Sequence, residues 1–150
     1  MWVGGVRVIL IDESGKMLLV RQRHEGKDVW MVPGGGIEDG ENAVEAAVRE
    51  VREETGLEIE VLSLLWHVEE VSSRGQRFVN FFSARIKGGK LALGHDPEFD
   101  DNSQVLKEVR FMTREEIKNI PVLYPEYLRD EVWEKLEEKE EICLDVFRLR

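Results

Sequence analysis

The chain has 150 residues, 42% hydrophobic and 35% charged, a usual size for one soluble domain with a single core, and its apolar runs are too short to span a bilayer. Its net charge of -10 repels a nucleic-acid backbone, and no basic stripe offsets it, so no nucleic-acid duplex is expected as a partner and an anionic substrate needs cations brought in locally. Cys143 is the single cysteine, which excludes an intrachain disulfide and a four-thiolate zinc site. With no secretion signal at the N-terminus, the expected location is cytoplasmic.

No repeat, low-complexity segment or Pro/Gly/Ser-rich linker divides residues 1–150, so one domain is expected. "VGGVRVILID" and "KMLLVRQR" read as two strands joined as a hairpin by the turn Glu13-Ser14-Gly15. After Pro33 and the glycines 34–36, a helix is predicted from about Asn42 to Thr55, stopped by Gly56 in a C-cap position. "EIEVLSLLWHVEEV" and "QRFVNFFSARI" form a second strand pair around the turn Ser72 to Gly75, and "EVRFM" is a short strand. Thr113 followed by Glu116 is a capping-box signature that opens a helix at Arg114. From Pro125, the recurrence of Leu128, Val132 and Leu136 predicts an amphipathic helix running into the acidic residues 137–141. "ICLDVFRLR" reads as a strand or ordered tail. Strands mixed with two or three helices give an α/β or α+β sandwich.

The helix after the glycines carries the chemistry. At about 100° per residue, with Glu50 at zero, Glu54 falls near +40° and Glu53 near -60°. Three carboxylates thus share one face, with Ala43 and Ala46 between them, while Val44, Val48, Val51 and Thr55 gather on a separate apolar stripe. Like charges this close repel. The pattern suits either a solvated face or a cation site, and the small alanines leave room for a ligand to approach. Hard oxygen donors suit Mg²⁺ or Mn²⁺, which binds through a few carboxylates together with substrate phosphate. Gly34, Gly35 and Gly36 let the backbone come close to a ligand. Arg21 and Arg23, at the end of the second strand, are either further phosphate contacts or solvated strand-end charges. His24, His67 and His95 have no zinc spacing.

Gly35, five residues, Glu41, seven residues, then Arg49-Glu50-Val51-Arg52-Glu53-Glu54-Thr55-Gly56-Leu57 resembles the Nudix box, G-x5-E-x7-R-E-U-x-E-E-x-G-U, at every specified position of residues 35–57. "VWMVPGGG" before it and "EVRFMTREEI" near the end resemble the family's flanks. The resemblance implies an α/β/α sandwich with a mixed central β-sheet, in which the box is a loop–helix–loop. It also implies hydrolysis of a diphosphate bond in a nucleoside diphosphate linked to another group. Glu50, Glu53 and Glu54 would then ligate the metal with the Gly34 carbonyl, Gly35 and Gly36 would face substrate, Arg49 would orient the carboxylates, and Glu41 would hold the loop to the helix. The general base would be Glu53 first and Glu108 second, with Asp96, Glu98, Asp100 and Asp101 in a further candidate loop.

Markers of family subgroups narrow the substrate. No proline follows the box at the spacing of ADP-ribose hydrolases, no tyrosine at that of dinucleoside-polyphosphate hydrolases, and no NADH-type Ser-Gln-Pro-Trp array occurs. A MutT-like nucleoside di- or triphosphate pyrophosphohydrolase remains, with a small-molecule nucleotide as partner and either a monomer or a homodimer open. Trp66, Phe78, Phe81 and Phe82 could stack on a base, although alternating strand positions must also fill the core. The alternatives are an ADP-ribose or dinucleoside-polyphosphate hydrolase, and a sensing domain that binds a nucleotide without cleaving it; the intact box favours catalysis. Isopentenyl-diphosphate isomerase chemistry needs a cysteine near the site, and Cys143 lies far along the chain.

Overall fold

Strand β1 (Gly4–Leu10) is buried at every position from Val8 onward, as a strand covered on both faces must be. In the computed structural model, which describes residues 4–73, 75–94 and 106–138, β1 runs parallel to β6 (Gly75–Gly89) and antiparallel to the short β4 (Gly34–Gly36). The long β5 (Leu57–Ser72) closes this sheet at its other edge, in the order β4-β1-β6-β5. A second sheet has the order β7-β2-β3-β8, from β7 (Leu106–Met112), β2 (Met17–His24), β3 (Lys27–Met31) and β8 (Leu123–Tyr124). The expected mixed sheet is thus realised as two four-stranded sheets, each containing one parallel pair.

Period-two alternation sends the side chains of these strands to two large cores, with a smaller cluster of Val20, Met31 and Leu106 on the second sheet. Val6, Val8, Leu10, Leu18 and Phe82 pack with Ala46, Ala47 and Val51 of helix α1 (Ala43–Thr55). On the opposite face Ile9, Met17, Leu19, Val79 and Phe81 pack with Ile117, Leu128 and Val132. Those three belong to α2 (Arg114–Lys118), a 3-10 turn (Glu126–Leu128) and α3 (Glu131–Glu137). Helices therefore cover both faces, an α/β/α layering. Each fully buried Val, Leu, Ile or Phe contributes about 1.5–3 kcal/mol, so the layers are held chiefly by these two cores.

Two sequence expectations are corrected. β1 and β2 do not form a hairpin: beyond the single bridge Ile11–Met17 they enter different sheets. β1 instead takes β6 and β4 as neighbours, and β2 takes β7 and β3. The helix expected from Pro125 is two short pieces, because Asp130 has a non-helical backbone (φ -136°, ψ -60°). The apolar spacing survives the break, so Leu128 and Val132 are still both buried. The second strand pair, the strand ending at Met112 and the capped helix at Arg114 are present. "ICLDVFRLR" lies outside the described residues.

Candidate active site

Helix α1 is fixed at both ends by its own sequence. Asn42 Oδ1 accepts from the Glu45 backbone N–H (2.8 Å) and Glu45 Oε1 accepts from the Asn42 N–H (3.1 Å), a reciprocal capping box. Gly56 takes the left-handed conformation (φ 76°) and donates to Arg52 O at 3.0 Å, a C-cap that a side chain would strain. The chain leaving β6 returns over this end: the backbone N–H groups of Ala92 and Gly94 donate to Thr55 O and Glu54 O, each at 2.9 Å. Buried Thr55 completes the join, donating to Val51 O (2.6 Å) and accepting from the Leu57 N–H (3.2 Å).

Arg49 ties this helix to the glycine loop. Its Nε and NH2 grip Glu41 at 3.0 and 2.6 Å, NH2 also donates to Gly36 O at 2.9 Å, and NH1 donates to Glu50 (3.0 Å) and Glu53 (3.1 Å). One guanidinium therefore binds the loop acid, a loop carbonyl and two acids of the helix face, a use of the rigid five-donor fork that lysine cannot match. Its hydrogen bonds to Glu41 raise its pKa further and hold the Glu41 carboxyl below the usual carboxylate range.

The carboxylates press against the loop. Glu54 Oε2 accepts from the Gly34 N–H at 3.0 Å. A Cβ built on Gly35 would lie 2.5 Å from Glu50 Oε1, so the carboxylate occupies the space that a side chain at Gly35 would take. The Glu50 side chain is only 15% exposed, and burial pushes its carboxyl above the usual value despite Arg49. A desolvated carboxylate beside two more acids and a bare backbone loop is a donor set that suits a hard divalent cation. Among the described residues no three acidic side chains converge to enclose an ion; Arg49 and the Gly34 N–H occupy their oxygens instead. Gly34, Glu50, Glu53 and Glu54 could hold such a cation if these partners give way.

Ala43 and Ala46 are corrected: both pack in the α1 core, Ala46 fully buried. The space that the Glu50 carboxylate fills is left by Gly35, on another element. Arg21, Arg23 and Glu108 lie on the second sheet. Arg21 bridges Asp28 (3.0 Å) and Glu108 (3.3 Å), and Arg23 pairs with Asp28 (2.9 Å). Among the described residues these ion pairs stay within that sheet and do not reach the acids of α1. Phe81 and Phe82 are core residues. Trp66 packs on Tyr127 with ring centroids 4.6 Å apart, and only Phe78 is exposed, stacked on His67 at 5.4 Å. Asp96, Glu98, Asp100, Asp101 and His95 lie outside the described residues.

The sequence reading missed Arg7 and Trp30. Arg7 donates to Val32 O at 3.0 Å, and the charges acting on it include Glu54 and Glu50; it reads in the sequence as an outward polar position of an alternating strand. Trp30 lies under the guanidinium groups of Arg110 (5.5 Å) and Arg21 (6.0 Å).

The sequence model of a family described as NUDIX domain matches residues 1–131. The 8-oxo-dGDP phosphatase NUDT18 of Mus musculus is 36% identical over 95 residues, 62% of this chain and 28% of that protein. An ADP-ribose pyrophosphatase of Methanocaldococcus jannaschii is 33% identical over 117 residues, 76% of this chain and 62% of that one. The chain thus spans less than a third of the first relative and under two thirds of the second. A solved NUDIX hydrolase from Nitrosomonas europaea superimposes with a TM-score of 0.78 over 100% of this chain and 98% of its own, at 19% identity, a likeness of fold.

Proposed function

This chain belongs to the Nudix family, whose model it matches over residues 1–131, and on that premise we propose that it is a hydrolase that cleaves a phosphoanhydride bond of a nucleoside di- or triphosphate. The observation that carries the reading is the Arg49 knot: one side chain holds the glycine loop against the helix face that presents Glu50 and Glu53. The acid face by itself repels a diphosphate. Glu50, Glu53 and Glu54, with the Gly34 carbonyl, would hold Mg²⁺ or Mn²⁺, which when bound neutralises the diphosphate and acidifies a water.

The chain's own groups account for the rest. Glu53, the more exposed of the two helix acids held by Arg49 at 36% against 15% for Glu50, is the proposed base that takes the proton of the attacking water. The water oxygen bonds to phosphorus as the bridging P–O bond breaks, and the leaving phosphate departs with that electron pair. Arg49 fixes Glu50 and Glu53, and Glu41 fixes Arg49. The loop glycines, which carry no side chains, let the phosphates approach the backbone closely. Glu108, paired to Arg21 on the second sheet, is the alternative base.

ADP-ribose hydrolysis is the second reading, favoured by the relative that matches 76% of this chain and opposed by the missing proline after the box. The deciding experiment is kcat/KM with Mg²⁺ for canonical and oxidised (d)NTPs and dNDPs, ADP-ribose and dinucleoside polyphosphates. A (d)NTP or dNDP is expected to lead. A preference for ADP-ribose or a dinucleotide by more than about tenfold, or 1.4 kcal/mol, overturns the proposal.

A further inference from the structure

On the face of the first sheet turned away from α1, the apolar run of Val79 and Phe81 gives way to charge. Register places Gly5 opposite Val79, Arg7 opposite Phe81, and Glu70 opposite Arg77. Strand alternation puts Gly5, Arg7, Arg77 and Glu70 on this same face. Arg77 Nε lies 3.3 Å from Glu70 Oε2, and Glu70 also accepts from the Tyr124 hydroxyl. The far end of Arg77 crosses Gly5: a Cβ there would come within 2.7 Å of NH2 and 3.3 Å of Gly35 O. The guanidinium thus reaches the edge of the glycine loop only because residue 5 has no side chain.

Arg7 lies deeper in the same corner. Its single hydrogen bond among the described residues is NH1 to Val32 O, and it has no ion pair there. The charges acting on it are Glu54, Arg77, Glu50 and Glu70. The two arginines thus share one face of the sheet, Arg77 with Glu70 as its counter-charge, and Glu50 and Glu54 are the acids assigned above to a cation. Unspent planar donors next to a diphosphate-cleaving centre match a phosphate oxyanion. Arg77, 43% exposed, can meet it from solvent.

We propose that Arg7 and Arg77 form a subsite for the free terminal phosphate of a nucleoside di- or triphosphate, and so select against substrates esterified at both ends of the phosphate chain, such as ADP-ribose. The proposal rests on the hydrolase reading above and adds the group that sets its preference.

The test compares dGTP with ADP-ribose, with Mg²⁺, in the wild type, Arg77→Ala, Gly5→Ala and Arg7→Lys. Removing a charge-assisted hydrogen bond predicts a KM for dGTP at least ~10-fold higher in Arg77→Ala, with the KM for ADP-ribose within about twofold. Gly5→Ala keeps the charge but displaces the guanidinium, and is expected to show the same selective loss. Arg7→Lys keeps a deep charge without the fork and is expected to weaken dGTP alone. An equal loss for both substrates, or none for dGTP, overturns the subsite. If the wild type turns over neither compound, the hydrolase reading fails by itself, and calorimetric binding of dGTP decides the subsite: at least ~10-fold weaker binding to Arg77→Ala supports it, and equal affinity overturns it.

Discussion

Replacing Gly35 with alanine asks whether the glycine loop and the helix acids act as one device. Gly35 does not use a left-handed backbone, so the substitution adds a methyl group without backbone strain. That methyl would lie 2.5 Å from Glu50 Oε1, 2.6 Å from Cδ and 2.9 Å from Oε2. Ordinary contact needs roughly 3.5 Å, so the carboxylate must retreat by about 1 Å. Arg49 holds it from the other side at 3.0 Å, and the retreat disturbs that bond as well. A misplacement of about 1 Å in a catalytic constellation costs on the order of a hundredfold in rate, about 2.7 kcal/mol in the barrier. Phosphate or pyrophosphate release under initial-rate conditions measures it, with a thermal melt to show that the fold persists. Gly88→Ala is the control, because its methyl would meet only Glu58 Cβ at 3.9 Å. A folded Gly35→Ala enzyme within about threefold of wild type would refute the reasoning, since the effect is worked from ~1 Å of displacement.

Glu53→Gln and Glu54→Gln are each expected to lower kcat by at least about a hundredfold with circular dichroism unchanged. Near-normal turnover in both returns these acids to an ordinary solvated face, and a larger loss in Glu108→Gln than in Glu53→Gln moves the base to β7. The carboxyl of Glu41 is held low by Arg49, so its stabilising contribution is complete above the unfolded value of about 4.3 and is lost as pH falls through that value and the lower folded one. Urea midpoints of wild type and Glu41→Gln should therefore converge as pH drops below about 4; a gap that stays constant with pH contradicts the ion pair. Glu50 works in the opposite sense. Burial raises its folded value, so the stability it contributes at low pH is lost as pH rises through that raised value.

What could be read in advance was what neighbours in the chain decide. The ends of α1 were legible because each is set by near neighbours in the chain, Asn42 with Glu45 three residues on and Gly56 with Arg52 four residues back, and the acid face because helical geometry is fixed. The pairing of β1 was not. The turn Glu13-Ser14-Gly15 has the same chemistry whether the flanking strands pair or diverge, and here they diverge after the bridge Ile11–Met17. Burial of Ala46 was missed because a wheel gives angles without saying which element comes to cover them. Arg7 and Arg77 escaped for a related reason: only the parallel pairing of β1 with β6 brings Arg77 over Gly5 and next to the loop, and no local signal announces a pairing across that span of chain.

The central claim, that the α1 acid face and the glycine loop form a cation-dependent phosphoanhydride hydrolase, is tested most directly by adding and removing the metal. Hydrolysis of a (d)NTP with Mg²⁺ should fall at least about a hundredfold in excess chelator and return when Mg²⁺ is restored, because neutralisation of the diphosphate and acidification of the water are both lost without the ion. Turnover continuing at the full rate in chelator would contradict the account.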